Sequence, residues 1–445
     1  MRPPPPGSAR APRAAYAVAG LLLLGSYLLL ARSLPEVRAG FDYTRWALQH
    51  GIYSDVLALS LEHYVRVGHV VHPLPYVHDR IEYPVLLGFV LWLPAWLPGG
   101  PPMWFAVEGV LTAAATFGTI HLVGRVRPTA AWWIAACPAL LTDAAINWDL
   151  IGIFFMVAAV VWFSEERHAW SGTAAGVGVC FKLFPVAVAP MALAALGSRW
   201  WRATTRGDAP PRVEPGKRAA PMPDGPEPSD RKPARGRAAD LRRWAAPFVV
   251  VCGVVFLPLL AVAPSNTWWF VRFNDTRMAK DSLWGLLALG LPRTVDRNGF
   301  ANPASLLIVV AVIVFGAWRV WRIPPERHGR GVALATAMVV IVWMAVNKIW
   351  NPQYVLWVFA AGALASLPAA FGVTLGAFSI YDWWFEFHLR LPSRPLAFAS
   401  VGQSSVAIRV VLFGLMAGWA ARELWRLASE RAAPQAERVP AAILR

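Results

Sequence analysis

The chain has 445 residues, 57% hydrophobic and 15% charged, with a net charge of +16 and a positive mean hydropathy of +0.44. A soluble globular chain would carry about 25% charged residues, so water is not the main solvent here. The basic residues lie in loops between apolar runs, not on one folded face, which excludes a nucleic-acid binder and points to membrane orientation.

The first apolar run, Ala14 to Ala31, follows Arg2, Arg10 and Arg13 and has the layout of a signal sequence without an A-x-A site, so an uncleaved signal anchor is expected. Further runs long enough to cross a bilayer recur near 103-123, 130-145, 148-163, 170-181 and 185-198, then near 245-263, 303-321, 331-346, 354-367, 369-384 and 405-424. Backbone polar groups in lipid must be satisfied within their own segment, so the expected fold is all-α. It is a polytopic membrane protein of about 12 transmembrane helices, with Val85 to Leu97 as a re-entrant or juxtamembrane helix ahead of a PGGPP turn.

Four regions are expected. An N-terminal transmembrane module, 1-198, carries a large outer loop, 33-84. Residues 199-243, with eight prolines and twelve Lys/Arg against six Asp/Glu, read as a disordered basic linker. A C-terminal transmembrane module, 244-425, and a tail, 426-445, complete the chain. Lys and Arg gather in cytoplasmic loops, so the linker and both termini are placed inside a plasma (inner) membrane. The map then puts the remaining polar clusters together on the outer side, provided Lys182-Leu183-Phe184-Pro185 is an outer turn between two short helices.

The outer loop holds six acids, Glu36, Asp42, Asp55, Glu62, Asp79 and Glu82, and five of the nine histidines, His50, His63, His69, His72 and His78. No HExxH-type spacing occurs among them, and no metal or other cofactor is expected. Asp149, in Ile146-Asn147-Trp148-Asp149-Leu150, stands where two apolar helices meet; it either caps the following helix or lines a wet site with Asn147. Lysine is scarce, five against 37 arginines, yet Lys182, Lys280 and Lys348 fall on the outer side, where a retained positive charge meets an anion or snorkels to headgroups. Cys137, Cys180 and Cys252 sit in apolar runs as small core residues. The 24 tryptophans, Trp268, Trp269, Trp350, Trp383 and Trp384 among them, form mostly an interfacial belt, with one or two free to stack on a sugar.

With Tyr53-Ser54-Asp55-Val56, Ile81-Glu82-Tyr83-Pro84-Val85, Ile146-Asn147-Trp148-Asp149-Leu150, Phe181-Lys182-Leu183-Phe184-Pro185 and Asn347-Lys348-Ile349-Trp350-Asn351-Pro352-Gln353-Tyr354 in this order, the chain resembles the GT-C superfamily of polyprenyl-phosphate-sugar-dependent glycosyltransferases. The resemblance is to glycosyltransferase family 87, with its alpha-mannosyltransferases, in particular. Val85 stands where that family carries a second proline, and Asn351 where it carries serine.

The resemblance implies a hexose, mannose foremost, delivered on a polyprenyl phosphate and transferred with inversion to an envelope glycolipid or glycan at the outer face. An acidic residue of the first outer loop would act as base, which maps to Asp55. Lys182 and Lys348 are candidates for holding the phosphate, with Asp149 as helper, and Glu82, Tyr83, Asn147, Gln353 and Tyr354 complete the expected substrate-binding set. Two other readings compete: a multi-pass lipid or solute transporter, which would be expected to show internal repeats and midplane charges, and a non-catalytic scaffold of an envelope-assembly complex.

Overall fold

A computed structural model describes residues 10–32, 34, 42–50, 52–66, 69–205, 234–277, 281–288, 297–385 and 395–430. It is helical apart from one two-residue ribbon and an isolated bridge between Pro75 and Asp79. The order is α1 (Arg13–Ala31), α2 (Tyr43–His50), α3 (Asp55–Tyr64), the antiparallel strands β1 (Val65–Arg66) and β2 (His69–Val70), then α4 (Val85–Trp92) and α5 (Pro101–Val126). Next come α6 (Ala131–Ala135), α7 (Ala139–Thr142), α8 (Asp149–Ser164), α9 (His168–Phe181) and α10 (Val188–Thr205). After residues 206–233, which lie outside the described residues, follow α11 (Ala234–Val262), the short α12 (Pro264–Thr267), α13 (Trp269–Thr276) and α14 (Leu283–Leu287). The chain then runs through α15 (Arg297–Arg322), α16 (His328–Val346), α17 (Val355–Ala365), α18 (Ala369–Trp384) and α19 (Pro395–Ser429).

Six of these helices, α1, α5, α11, α15, α16 and α19, are long and apolar enough to cross a membrane, by length and composition. The other six expected spans coincide with shorter helices. The 130-145 segment is broken where Pro138, with no N–H to donate, separates α6 from α7. The Val85 to Leu97 segment forms α4 and a 3-10 turn, Leu93–Trp96. At the expected linker, α10 runs on to Thr205 and α11 starts at Ala234, so helix replaces loop at both edges.

The packing is centred on α16, which is buried along nearly its whole length, whereas α11 and α15 turn mostly outward. In lipid, helices associate through close packing and polar contacts more than through expulsion of water. Gly172 of α9 lies directly against the Trp244 carbonyl of α11, an approach that leaves no room for a Cβ. At the same crossing Trp244 Nε1 donates to Ser171 Oγ over 2.9 Å, and Ser171 Oγ donates to the Ala159 carbonyl of α8 over 2.7 Å. These bonds join α8, α9 and α11 near the start of α9.

Candidate active site

The start of α3 is stitched to the segment between α7 and α8. Ser54 Oγ donates to the Ala145 carbonyl over 2.8 Å and the Asp55 amide to the Ile146 carbonyl over 2.8 Å. From the other side the Ala145 amide donates to Ser26 Oγ of α1 over 3.3 Å. Asn147, one residue further on, is thereby fixed beside Asp55: its Nδ2 donates to Asp55 Oδ2 over 2.5 Å.

The loop before α4 brings the third partner. Tyr76, buried and in the left-handed region at φ 65°, donates its hydroxyl to the Tyr83 and Pro84 carbonyls, both over 2.9 Å. A bulky residue at positive φ stores strain, so the surrounding contacts must hold it there. The bend presents Tyr83, whose hydroxyl donates to Asp55 Oδ2 over 3.1 Å and accepts from Asn147 Nδ2 over 2.8 Å.

Asn147 passes the network on. Its Oδ1 accepts from Lys182 Nζ over 2.9 Å. Lys182 occupies the extended residue between α9 and the next 3-10 turn, 3.3 Å from Asp149 Oδ1 and 4.3 Å from the centre of the Tyr83 ring. Asp149 is fully buried in the first turn of α8 and makes no side-chain capping bond; its Oδ1 accepts from Trp357 Nε1 of α17 over 3.0 Å. Of the two expectations for Asp149, the cap is therefore not what the structure shows. Its charge is met by Lys182, as a carboxylate held away from water requires.

Two adjoining cavities flank this chain of contacts. One, of about 210 Å³, is lined by Tyr53, Asp55, Glu82, Tyr83, Ile146, Phe273, Arg277 and Asn351 to Gln353. The other, of about 250 Å³, is lined by Glu82, Tyr83, Lys182, Asn347, Asn351, Tyr354 and Arg277, with Phe184, Phe270, Val271, Phe273 and Trp343 as apolar wall. They share Glu82, Tyr83, Phe273, Arg277 and Asn351.

Burial raises the Asp55 pKa above the ordinary carboxylate range, against hydrogen bonds from Tyr53, Asn147 and Tyr83 and the charge of Lys182, all of which favour the carboxylate. Glu82 is pushed up to about 7, by burial first and then by the charge of Asp55, with His63 and Arg277 opposing. His63 in turn is tied to Asp79 by a 2.7 Å contact.

Of the residues singled out from sequence, Asp55, Glu82, Tyr83, Asn147, Lys182, Gln353 and Tyr354 line one or both cavities or bond directly to a residue that does. Lys348 does not line them. It is buried, and its Nζ donates to the Asp275 carbonyl of α13 over 2.6 Å, so it braces the helix that leads into Arg277. Lys280 and the linker residues 206–233 lie outside the described residues.

Arg277, directly after α13, carries no signal of its own in the sequence, although it shares with Lys280 its sign and the loop expected outside. It lines both cavities and, among the described residues, forms no ion pair. The scarcity of lysine drew attention to the lysines, and one arginine among 37 carried no comparable signal. None of the five boundary tryptophans lines these two cavities; their aromatic walls are Tyr53, Tyr83, Phe184, Phe270, Phe273, Trp343 and Tyr354.

No curated protein matches the chain. The family model described as glycosyltransferase family 87 matches residues 82–208, a stretch that holds Glu82, Tyr83, Asn147, Asp149 and Lys182 but neither Asp55 nor Arg277. Over this segment, which supplies Tyr83, Asn147, Asp149 and Lys182 to the polar network of the site, the chain is similar to glycosyltransferase family 87.

Proposed function

We propose that the protein is an inverting hexosyltransferase of the membrane, moving a sugar, mannose foremost, from a polyprenyl phosphate to an envelope glycolipid or glycan at the outer face. The observation that carries the reading is the placement of one half-buried carboxylate, Asp55, in a polar cavity that shares a wall with a second cavity bearing two cations, Lys182 and Arg277. The first suits a sugar ring. The second, apolar and cationic together, suits a phosphate with the start of an isoprenoid chain.

In the step this arrangement supports, the acceptor oxygen forms a bond to the anomeric carbon as the bond from that carbon to the phosphate oxygen breaks. The acceptor proton passes to Asp55, and the polyprenyl phosphate leaves with its electron pair. Tyr53, Tyr83 and Asn147 hold Asp55 as an acceptor of protons by donating to it. Arg277 and Lys182 face the charge that develops on the leaving phosphate. The aromatic residues Tyr53, Tyr83 and Phe273 bound the smaller cavity, where a sugar would stack.

The test is transfer of radiolabelled sugar from a polyprenyl phosphate to membrane lipids by the purified full-length protein. Asp55→Asn keeps the size and the hydrogen bonds from Tyr83 but cannot take a proton. Transfer should fall by about 10² to 10⁴ while donor binding survives. Retention of more than about a third of wild-type transfer, far above that range, would show that Asp55 is not the base.

A further inference from the structure

Arg409 lies on α19, a helix long and apolar enough to cross the membrane, and is only 1% exposed. A guanidinium in such a place is costly unless partners meet it, and a charge kept there asks for a role. It lines neither cavity of the site. Its Nη2 donates to the Asp281 carbonyl over 2.6 Å, and its Cζ lies 4.0 Å from the centre of the Trp350 ring. Asp382 of α18 completes the cluster. Its Oδ2 accepts from Trp350 Nε1 over 2.7 Å, its Oδ1 accepts from Ser405 Oγ over 2.6 Å, and its charge, with that of Asp281, opposes the charge of Arg409.

The cluster holds two pieces of chain together. Trp350 belongs to the turn 347–354, which gives Asn347, Asn351 and Tyr354 to the Lys182 cavity and Asn351 to Gln353 to the Asp55 cavity. Asp281 lies four residues beyond Arg277, in the left-handed region at φ 48°, a backbone state that its surroundings must hold. The same turn also reaches the other side of Arg277, where Lys348 Nζ donates to the Asp275 carbonyl over 2.6 Å. Arg277 therefore stands between two tethers to one turn, Lys348 before it and Arg409 stacked on Trp350 after it. The start of the turn is fixed as well: Trp284 Nε1 and Ser305 Oγ both donate to the Val346 carbonyl, over 2.6 and 2.7 Å.

Resting on the transferase reading above, we infer that Arg409 is a positioning residue for the donor phosphate: from outside both cavities it locks the Arg277 loop to the Asn351 turn and so sets the spacing of Arg277 and Asn351 on the shared wall. Arginine is the side chain this task requires. Its planar guanidinium bonds a carbonyl and lies on an indole at the same time, which the ammonium of a lysine does not do.

The experiment is a double-mutant cycle in the purified full-length protein, read as the Kd of farnesyl phosphate, a lipid phosphate without sugar. Arg277→Ala should raise the Kd about tenfold and Arg409→Lys, which keeps the charge facing Asp382, about fivefold. A residue that acts through Arg277 has nothing left to position once Arg277 is gone, so the double variant should bind no more weakly than Arg277→Ala alone. Effects that multiply, to about fiftyfold, would make Arg409 a general brace and overturn the inference, as would an unchanged Kd in Arg409→Lys. If Arg409→Lys fails to fold, Arg409→Gln with Asp382→Asn, which removes both buried charges together, takes its place in the cycle with the same two outcomes. Wild type that binds no farnesyl phosphate overturns the inference outright. Sugar transfer by wild type, run in parallel, separates the two readings. Multiplying effects beside normal transfer overturn the role of Arg409 and leave the transferase standing. A cycle that comes out as expected beside no transfer overturns the transferase reading and leaves Arg409 as the residue that positions Arg277 for a lipid phosphate.

Discussion

The chemistry of the site turns on one carboxylate whose surroundings pull in opposite directions. Burial favours the neutral acid of Asp55, while three hydrogen-bond donors and Lys182 favour the anion. A general base must be ionised to act, so kcat/KM should climb with pH along an acid limb that reports Asp55 and its coupled neighbour Glu82, itself near 7. Lys182→Met removes a positive charge that lowers the Asp55 pKa, so the limb should move to higher pH; a limb that stays or moves down would remove Lys182 from the electrostatics of the base. The two remaining cations should separate in a different way. Arg277→Ala takes a charge from the wall of both cavities and should raise the donor KM by about 10-fold or more with the melting temperature unchanged. Lys348→Ala removes the donor to the Asp275 carbonyl from a buried position and should lower the melting temperature along with kcat. If Lys348→Ala instead raised only the donor KM, it would rejoin the phosphate site.

At the scale of elements, the loop ahead of α4 sets the position of Tyr83 and Glu82, and the Tyr76 hydroxyl ties the bend at its end. Tyr76→Phe deletes both bonds from that hydroxyl, to the Tyr83 and Pro84 carbonyls, while keeping the buried ring. Each such bond contributes about 1 kcal/mol net, and a slightly displaced Tyr83 no longer donates squarely to Asp55. The expected result is a loss in kcat of about tenfold at normal protein level, measured in the same transfer assay. An unchanged kcat would mean that the loop is positioned by α4 and α3 alone. Much of this scale was legible beforehand: the break before Pro185 and the polar turn after α16 appear where apolar runs stop at prolines and amides. The division of the 130-145 run into α6 and α7 was not, because hydropathy averages over Pro138 and the residues on either side of it are apolar.

For the whole molecule, the proposed orientation rests on the distribution of Lys and Arg between the apolar runs. Cysteines placed at Glu62 and Thr276, both exposed, should react with an impermeant maleimide in intact cells, and one at Gly225 only after the membrane is opened. Labelling at Gly225 in intact cells would invert the map and put Asp55 on the cytoplasmic side, where a nucleotide-linked sugar becomes the natural donor. The sequence by itself determined that the chain is helical and apolar enough for a membrane, and which polar motifs interrupt its apolar runs, because each of these depends on how a short stretch of residues partitions between lipid and water. Only the tertiary structure decided that Asp55 meets Asn147, 92 residues away, that Asp149 answers to Lys182 and Trp357, and that Arg277, with Lys348 behind it, faces the cavities. Local composition reports the solvent a segment prefers. It carries no record of which segment packs beside it, and a site assembled from six separate breaks in helices exists only once those helices have packed.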